Sequence, residues 1–154
     1  KLTYVDDVEI HPSIITNYIY EMGKKYLIKM VAVDNYRYTL LADSLSKIGF
    51  STDRKNLKLI SQLDICKVVP VIDHCFLNGF FSWGDNPVLR WATNNTKTIR
   101  YGKDAGADKG SFVYAKIEAR SRKTDPFMAL VASVIIETEI KEYVPLKKGC
   151  VLVM

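Results

Sequence analysis

No apolar run in this chain approaches the roughly 20 residues that a membrane-spanning helix needs, so a helical span is excluded from the reading. Cysteine is scarce. Cys66, Cys75 and Cys150 are odd in number and none shares a Cys-x-x-Cys spacing, which argues against a disulfide framework and a structural zinc site. Reduced thiols fit a cytoplasmic setting. His74 stands beside Cys75, but an adjacent pair of this kind reads as helix packing rather than ligation. The opening Lys1-Leu-Thr-Tyr-Val-Asp-Asp carries no hydrophobic segment followed by a cleavage site, so no signal peptide is read there. That opening reads as the middle of a domain, and the chain is expected to be a piece of a longer protein. Three reactive motifs are also missing: the Gly-x-x-x-x-Gly-Lys phosphate loop, the Gly-x-Ser-x-Gly elbow and the His-Glu-x-x-His helix.

What is present suffices for one core. With 154 residues, 48% of them apolar, a single domain is expected over residues 1–144, followed by a tail over 145–154. The formal charge of +5 tilts the choice of partner toward a polyanion.

Periodicity supplies a coarse order of elements. Leu2 to Val5 alternates as a short edge strand. Pro12 suits the first position of a helix, and Ile14, Ile15, Tyr18, Ile19 and Met22 recur at helical spacing through Lys25. Leu27 to Val33 is apolar nearly throughout, as expected of a strand covered on both faces. A second amphipathic helix follows from Tyr38 to Ile48 and stops at Gly49. This alternation predicts an α/β architecture with at least part of the sheet parallel.

Ser61 and Asp64 form a capping-box pattern for a helix to about Leu77, with Pro70 predicting a kink or a later start. Phe80 to Trp83 reads as a short strand, and Asn86-Pro87 opens a short helix. Thr96 to Tyr101 and Phe112 to Ala119 predict a long β-hairpin whose polar tip spans Gly102 to Gly110. The last helix, Pro126 to about Tyr143, is apolar nearly all round and belongs in a core.

Two aspartates stand where carboxylates can hold metal. Asp34 ends the apolar strand, and in open α/β sheets the carboxyl ends of parallel strands form the usual ligand crevice. An Asx-turn or helix cap explains Asp34 equally well, because Asp34-Asn35 also precedes a helix. Asp125 precedes Pro126, which is what an N-cap followed by a first helical proline looks like. The helix dipole would keep that carboxylate ionised for either role. Just upstream, Arg120, Arg122 and Lys123 form either a solvated face or a phosphate-binding set. Arg120 and Arg122 point together if they alternate off the end of a strand. Arg then offers a planar fork to phosphate oxygens and Lys a point charge. Lys97, Arg100 and Lys103 on the hairpin either lie along a duplex or keep an exposed ribbon soluble.

The words Val68-Val-Pro-Val-Ile-Asp73, Gly84-Asp-Asn-Pro-Val-Leu-Arg-Trp91 and Asn94-Asn95 resemble the large terminase subunits of tailed bacteriophages. So does Lys116-Ile-Glu-Ala-Arg-Ser-Arg-Lys-Thr-Asp-Pro-Phe-Met-Ala-Leu130, with Tyr26 to Asn35 matching that family's strand ending in an acid. The resemblance implies the C-terminal nuclease of such a subunit, a ribonuclease H-like mixed sheet flanked by helices, incomplete at its N-terminal end. It implies metal-dependent endonuclease cleavage of concatemeric double-stranded DNA during genome packaging. Two Mg²⁺ or Mn²⁺ ions would share Asp34 and Asp125, a site incomplete here because a third acid is expected upstream of residue 1. Arg120, Arg122, Lys123, Lys97 and Arg100 would meet DNA. A packaging ATPase domain, a small terminase subunit and a portal are the implied partners, in the cytoplasm of a bacterial host. Missing strands would leave an exposed sheet edge open to self-association. Two alternatives stay open: a catalytically incomplete module that binds DNA or the packaging assembly, and another ribonuclease H-like nuclease of the resolvase or integrase type.

Overall fold

The computed structural model describes residues 6, 9–36, 38–102 and 111–140. The first edge strand, Lys103, most of the hairpin tip and the C-terminal tail lie outside them. Within the described residues the chain is mixed α/β, with five helices and two small sheets.

Helix α1 (Pro12–Gly23) starts at His11, whose ring Nδ1 accepts from the Ser13 amide, with Pro12 in the first turn. Strand β1 (Val31–Asp34), helix α2 (Tyr38–Lys47) and strand β2 (Leu57–Ile60) form a strand–helix–strand unit. The two strands are parallel, with Val31 opposite Leu57 and Asp34 opposite Ile60. Leu45 closes the underside of α2 and is wholly buried. The chain then turns at Gly49, where φ of +93° suits a residue without a Cβ. Asn56 holds the loop back to β2, donating to the Gly49 carbonyl and accepting from the Ser51 amide, both at 2.9 Å.

The long buried strand expected over Leu27 to Val33 is shorter and less covered. Only Val31 to Asp34 pair, Val31 to Val33 are half-buried, and Leu27 is exposed. Among the described residues β1 has a single neighbouring strand, so residues before Val31 find no ladder to join.

Helix α3 (Gln62–Leu77) carries the capping box the sequence predicts. The Ser61 hydroxyl accepts from the Asp64 amide at 3.3 Å, and the Asp64 carboxylate accepts from the Ser61 amide at 2.9 Å. Pro70 does not delay the start: the helix runs through it, with the proline facing solvent. Ile65, Val68, Val69 and Ile72 are buried at helical spacing.

No strand forms at Phe80 to Trp83. Those residues serve as packing, with Phe81 and Trp83 edge-on to Phe76 at 5.0 and 5.5 Å between ring centroids. Helix α4 (Pro87–Asn94) follows, capped by Asn86, whose Oδ1 accepts from the Leu89 amide at 3.0 Å.

Strands β3 (Thr96–Tyr101) and β4 (Ser111–Lys116) form the expected antiparallel hairpin. Among the described residues it makes a sheet of its own rather than extending the β1–β2 pair. Helix α5 (Asp125–Glu137) packs against α3, α4 and β1. The core lies between α3, α5 and the hairpin, around Ile72, Val113, Phe127 and Val131.

Candidate functional site

The site is built at the carboxyl ends of the parallel strands. Asp34 is the last residue of β1, and β2 delivers Ile60, Ser61 and Gln62 beside it. The N-terminal turn of α5 brings Asp125. Asp34 and Asp125 line one cleft of about 300 Å³, with Ala32, Ile60, Gln62 and Met128 also in its wall. Two acids far apart in sequence thus border one concavity, whose lining is polar and apolar in nearly equal measure.

Asp34 also does what its ordinary reading requires. Its Oδ1 accepts from the Tyr36 amide at 3.0 Å, an Asx-turn that fixes the carboxylate at the strand end.

Asp125 corrects the expectation of an N-cap. Thr124 is the capping position, Asp125 the first residue of the helix and Pro126 the second. The shift has a tertiary cause. Buried Asn95 donates from Nδ2 to the Lys123 carbonyl at 3.2 Å, and the Thr124 carbonyl accepts from the Met128 amide at 2.9 Å. These bonds start the helix one residue earlier than the Asp-Pro pattern suggests. The Asp125 carboxylate is therefore not engaged in capping and stands exposed at the cleft.

A second, wider groove of about 530 Å³ shares Asp34, Ile60 and Gln62 with the first. It runs on past Tyr36 to Tyr101 at the end of β3. Asp34 and Gln62 therefore sit at the junction of two connected hollows.

The basic run is placed differently from the reading that would aim it at phosphate. Strand β4 ends at Lys116, and residues 117–121 form bends and a turn. The alternation needed to point Arg120 and Arg122 together is absent there. Arg122 turns back instead: its amide donates to the Glu118 carbonyl at 3.3 Å, and its Nε lies 3.9 Å from the Glu118 carboxylate. Arg120, Arg122 and Lys123 are exposed, and none lines the acid cleft.

On β3, Lys97 and Arg100 are both exposed but lie three residues apart, and period-two alternation sends them to opposite faces of the hairpin. Lys97 instead borders a separate hollow with Asp73, Thr98 and Tyr114. There the Tyr114 hydroxyl reaches Asp73 at 3.5 Å, and burial, followed by that carboxylate, raises the phenol well above its usual range.

The cap of α3 is tied to the far end of α5. Lys58 of β2 pairs with Glu139 and lies 3.8 Å from Asp64. The hydrogen bond to Glu139 keeps the Lys58 ammonium protonated beyond its ordinary range, against a cost from burial. Burial pushes the Asp64 carboxyl up, but the Ser61 hydroxyl and amide, with Lys58, outweigh it and hold the carboxyl below its ordinary value.

Gln62 was not legible as a site residue. Strand β2 has only four residues, one of them Lys58, so nothing in the pattern placed its end beside Asp34. The available signal was the capping box itself, which marks a chain reversal immediately before Gln62.

Among the described residues no helix is long and apolar enough to cross a membrane. Comparison with known proteins gives no matching family model, no matching curated protein and no matching solved structure.

Proposed function

We propose that this chain is the nuclease portion of a large terminase subunit of a tailed bacteriophage, with a ribonuclease H-like fold. In this reading it hydrolyses phosphodiester bonds of concatemeric double-stranded DNA during genome packaging. The single observation that supports it is the meeting of Asp34 and Asp125 in one cleft at the carboxyl end of a parallel strand.

The two carboxylates offer hard oxygen donors of the kind Mg²⁺ and Mn²⁺ take, and they would hold such an ion. Among the described residues they are not joined by a third carboxylate, histidine or cysteine. The ion when bound supplies Lewis-acid polarisation for an in-line displacement at phosphorus. The rest falls to the chain. The Asx-turn at Tyr36 fixes one carboxylate, and the Asn95 contact fixes the entry to the other. Arg120 and Lys123, exposed just upstream of Asp125, draw the DNA backbone toward that end of α5, while Arg122 is shared with Glu118. Contacts of this type position a duplex without reading its sequence. The packaging ATPase, the small subunit and the portal are the partners in this reading, and the bacterial host cytoplasm is the setting.

A second reading is favoured by a different observation: the exposed cations Arg120, Lys123 and Lys97 all lie outside the acid cleft. A surface so arranged retains DNA, or docks on the packaging assembly, without using the acids at all. Titrating Mn²⁺ while following supercoiled plasmid separates the two. Mn²⁺-dependent nicking that disappears in Asp34→Ala and in Asp125→Ala supports the enzyme. Salt-sensitive retention of DNA with no nicking at any Mn²⁺ concentration supports the second reading and ends the first.

A further inference from the structure

Among the described residues Gln62 is the one polar side chain besides Asp34 that borders both connected hollows, and it shares the smaller one with both aspartates. Its neighbours explain why its carboxamide is available. The capping box of α3 is made by Ser61 and Asp64, so Gln62 at the first helical position takes no part in it. Its residue is exposed, and no side-chain partner engages it among the described residues. A carboxamide is neutral, so it adds no negative charge to repel an anionic phosphate. It offers two N–H donors and one acceptor, which suit an anionic phosphate oxygen lying over a pair of carboxylates.

Resting on the nuclease reading, we infer that Gln62 is a substrate-binding catalytic residue: its Nε2 donates to a non-bridging oxygen of the scissile phosphate and holds it against the Asp34–Asp125 pair. The ligand class is a phosphodiester of the DNA backbone. The wider groove past Tyr36 and Tyr101 carries the strand onward from that point.

The test uses the full chain, with Mn²⁺ affinity by calorimetry beside the rate of plasmid nicking. Gln62→Ala is expected to slow nicking by about tenfold, the scale of a lost positioning contact near a metal site, with Mn²⁺ affinity unchanged. Gln62→Asn, whose shorter carboxamide keeps the donor, recovers part of the rate. Gln62→Glu adds a third carboxylate and is expected to tighten Mn²⁺ about tenfold, since charge count tunes such sites. Thermal melts check that all three variants fold. Wild-type nicking by Gln62→Ala, or unchanged Mn²⁺ affinity in Gln62→Glu, overturns the assignment. If the wild type neither binds Mn²⁺ nor nicks, the nuclease reading fails and the phosphate role with it.

Discussion

Neutralising either cleft aspartate should remove the response to metal while leaving the metal-free fold intact. The structural duties of the two side chains are small and can be stated. Asp34 accepts one backbone bond, from the Tyr36 amide at 3.0 Å, and an asparagine oxygen accepts the same bond. Asp125 makes no capping bond, so its contribution to α5 is the interaction of a carboxylate with the helix N-terminus, about 0.3–1 kcal/mol. Asp34→Asn and Asp125→Asn should therefore each cost at most about 1 kcal/mol without metal. On the nuclease reading, metal binding should stabilise by considerably more. Mn²⁺ at about one hundred times its dissociation constant stabilises the folded chain by about 2.7 kcal/mol. For a domain of this size that is a rise of about 5–10 °C in the melting temperature. Differential scanning fluorimetry with and without Mn²⁺ reads both quantities in one experiment. The wild type should shift and the two asparagine variants should not. A full shift in both variants would place the metal elsewhere. A metal-free loss well beyond about 2 kcal/mol would show that the carboxylates serve the fold and not the ion.

Acid should loosen the start of α3 through Asp64. Its carboxyl is held below the ordinary 3.8 in the folded chain, so its stabilisation is complete above that value and is lost as pH falls through the lower folded value. Asp64→Asn should flatten the melting temperature against pH below about 4, and an unchanged profile would show that the capping box carries no pH-dependent stability. The hairpin offers a geometric test on DNA, because Lys97 and Arg100 lie on opposite faces while Lys97 shares its face with Tyr101 at the groove. Lys97→Ala should reduce the salt dependence of DNA retention by about 0.9 in the log–log slope, the loss of one phosphate contact, and Arg100→Ala should leave it unchanged. Equal losses would mean that DNA does not lie along a single face of the ribbon.

Three of the helix starts were legible because each carries its own local chemistry. His11-Pro12, Ser61 with Asp64, and Asn86-Pro87 announce three helix starts, and each is found where its cap predicts. Strands were harder. A strand is fixed by its neighbours, and β2 is four residues long with Lys58 in the middle, so no run of apolar residues marks it. Phe80 to Trp83 misled in the opposite sense, since aromatic residues suit a strand and a core cluster equally, and Phe76 settles them into the cluster. For the site, Asp34 could be placed from its position after β1. Asp125 could not be separated from a cap, because the contact that decides the matter comes from Asn95, distant in sequence and buried. The direction of the basic run was likewise a tertiary question. It depended on where β4 ends, and Glu118 captures Arg122 just beyond that end.

The meeting of the two acids is secured less by the strands than by the way α5 is held at both ends. At its start, Asn95 grips the Lys123 carbonyl, and its own carbonyl accepts from the Ile117 amide at 2.8 Å, so one buried residue joins α4, the end of the hairpin and the entry to α5. Beyond its last turn, Glu139 pairs with Lys58 on β2, and Lys58 lies beside the Asp64 that caps α3. Between these polar clamps, Val131 is wholly buried and Phe127 nearly so, which resists rotation of the helix about its axis. Asp125 follows directly on the first clamp, and Gln62 is next to the cap that the second clamp steadies. The position of the acid cleft therefore follows from contacts made by residues that do not line it. Those contacts serve a binding module as well as a nuclease, which is why the metal response of Asp34 and Asp125, and not the integrity of the fold, is the measurement that distinguishes them.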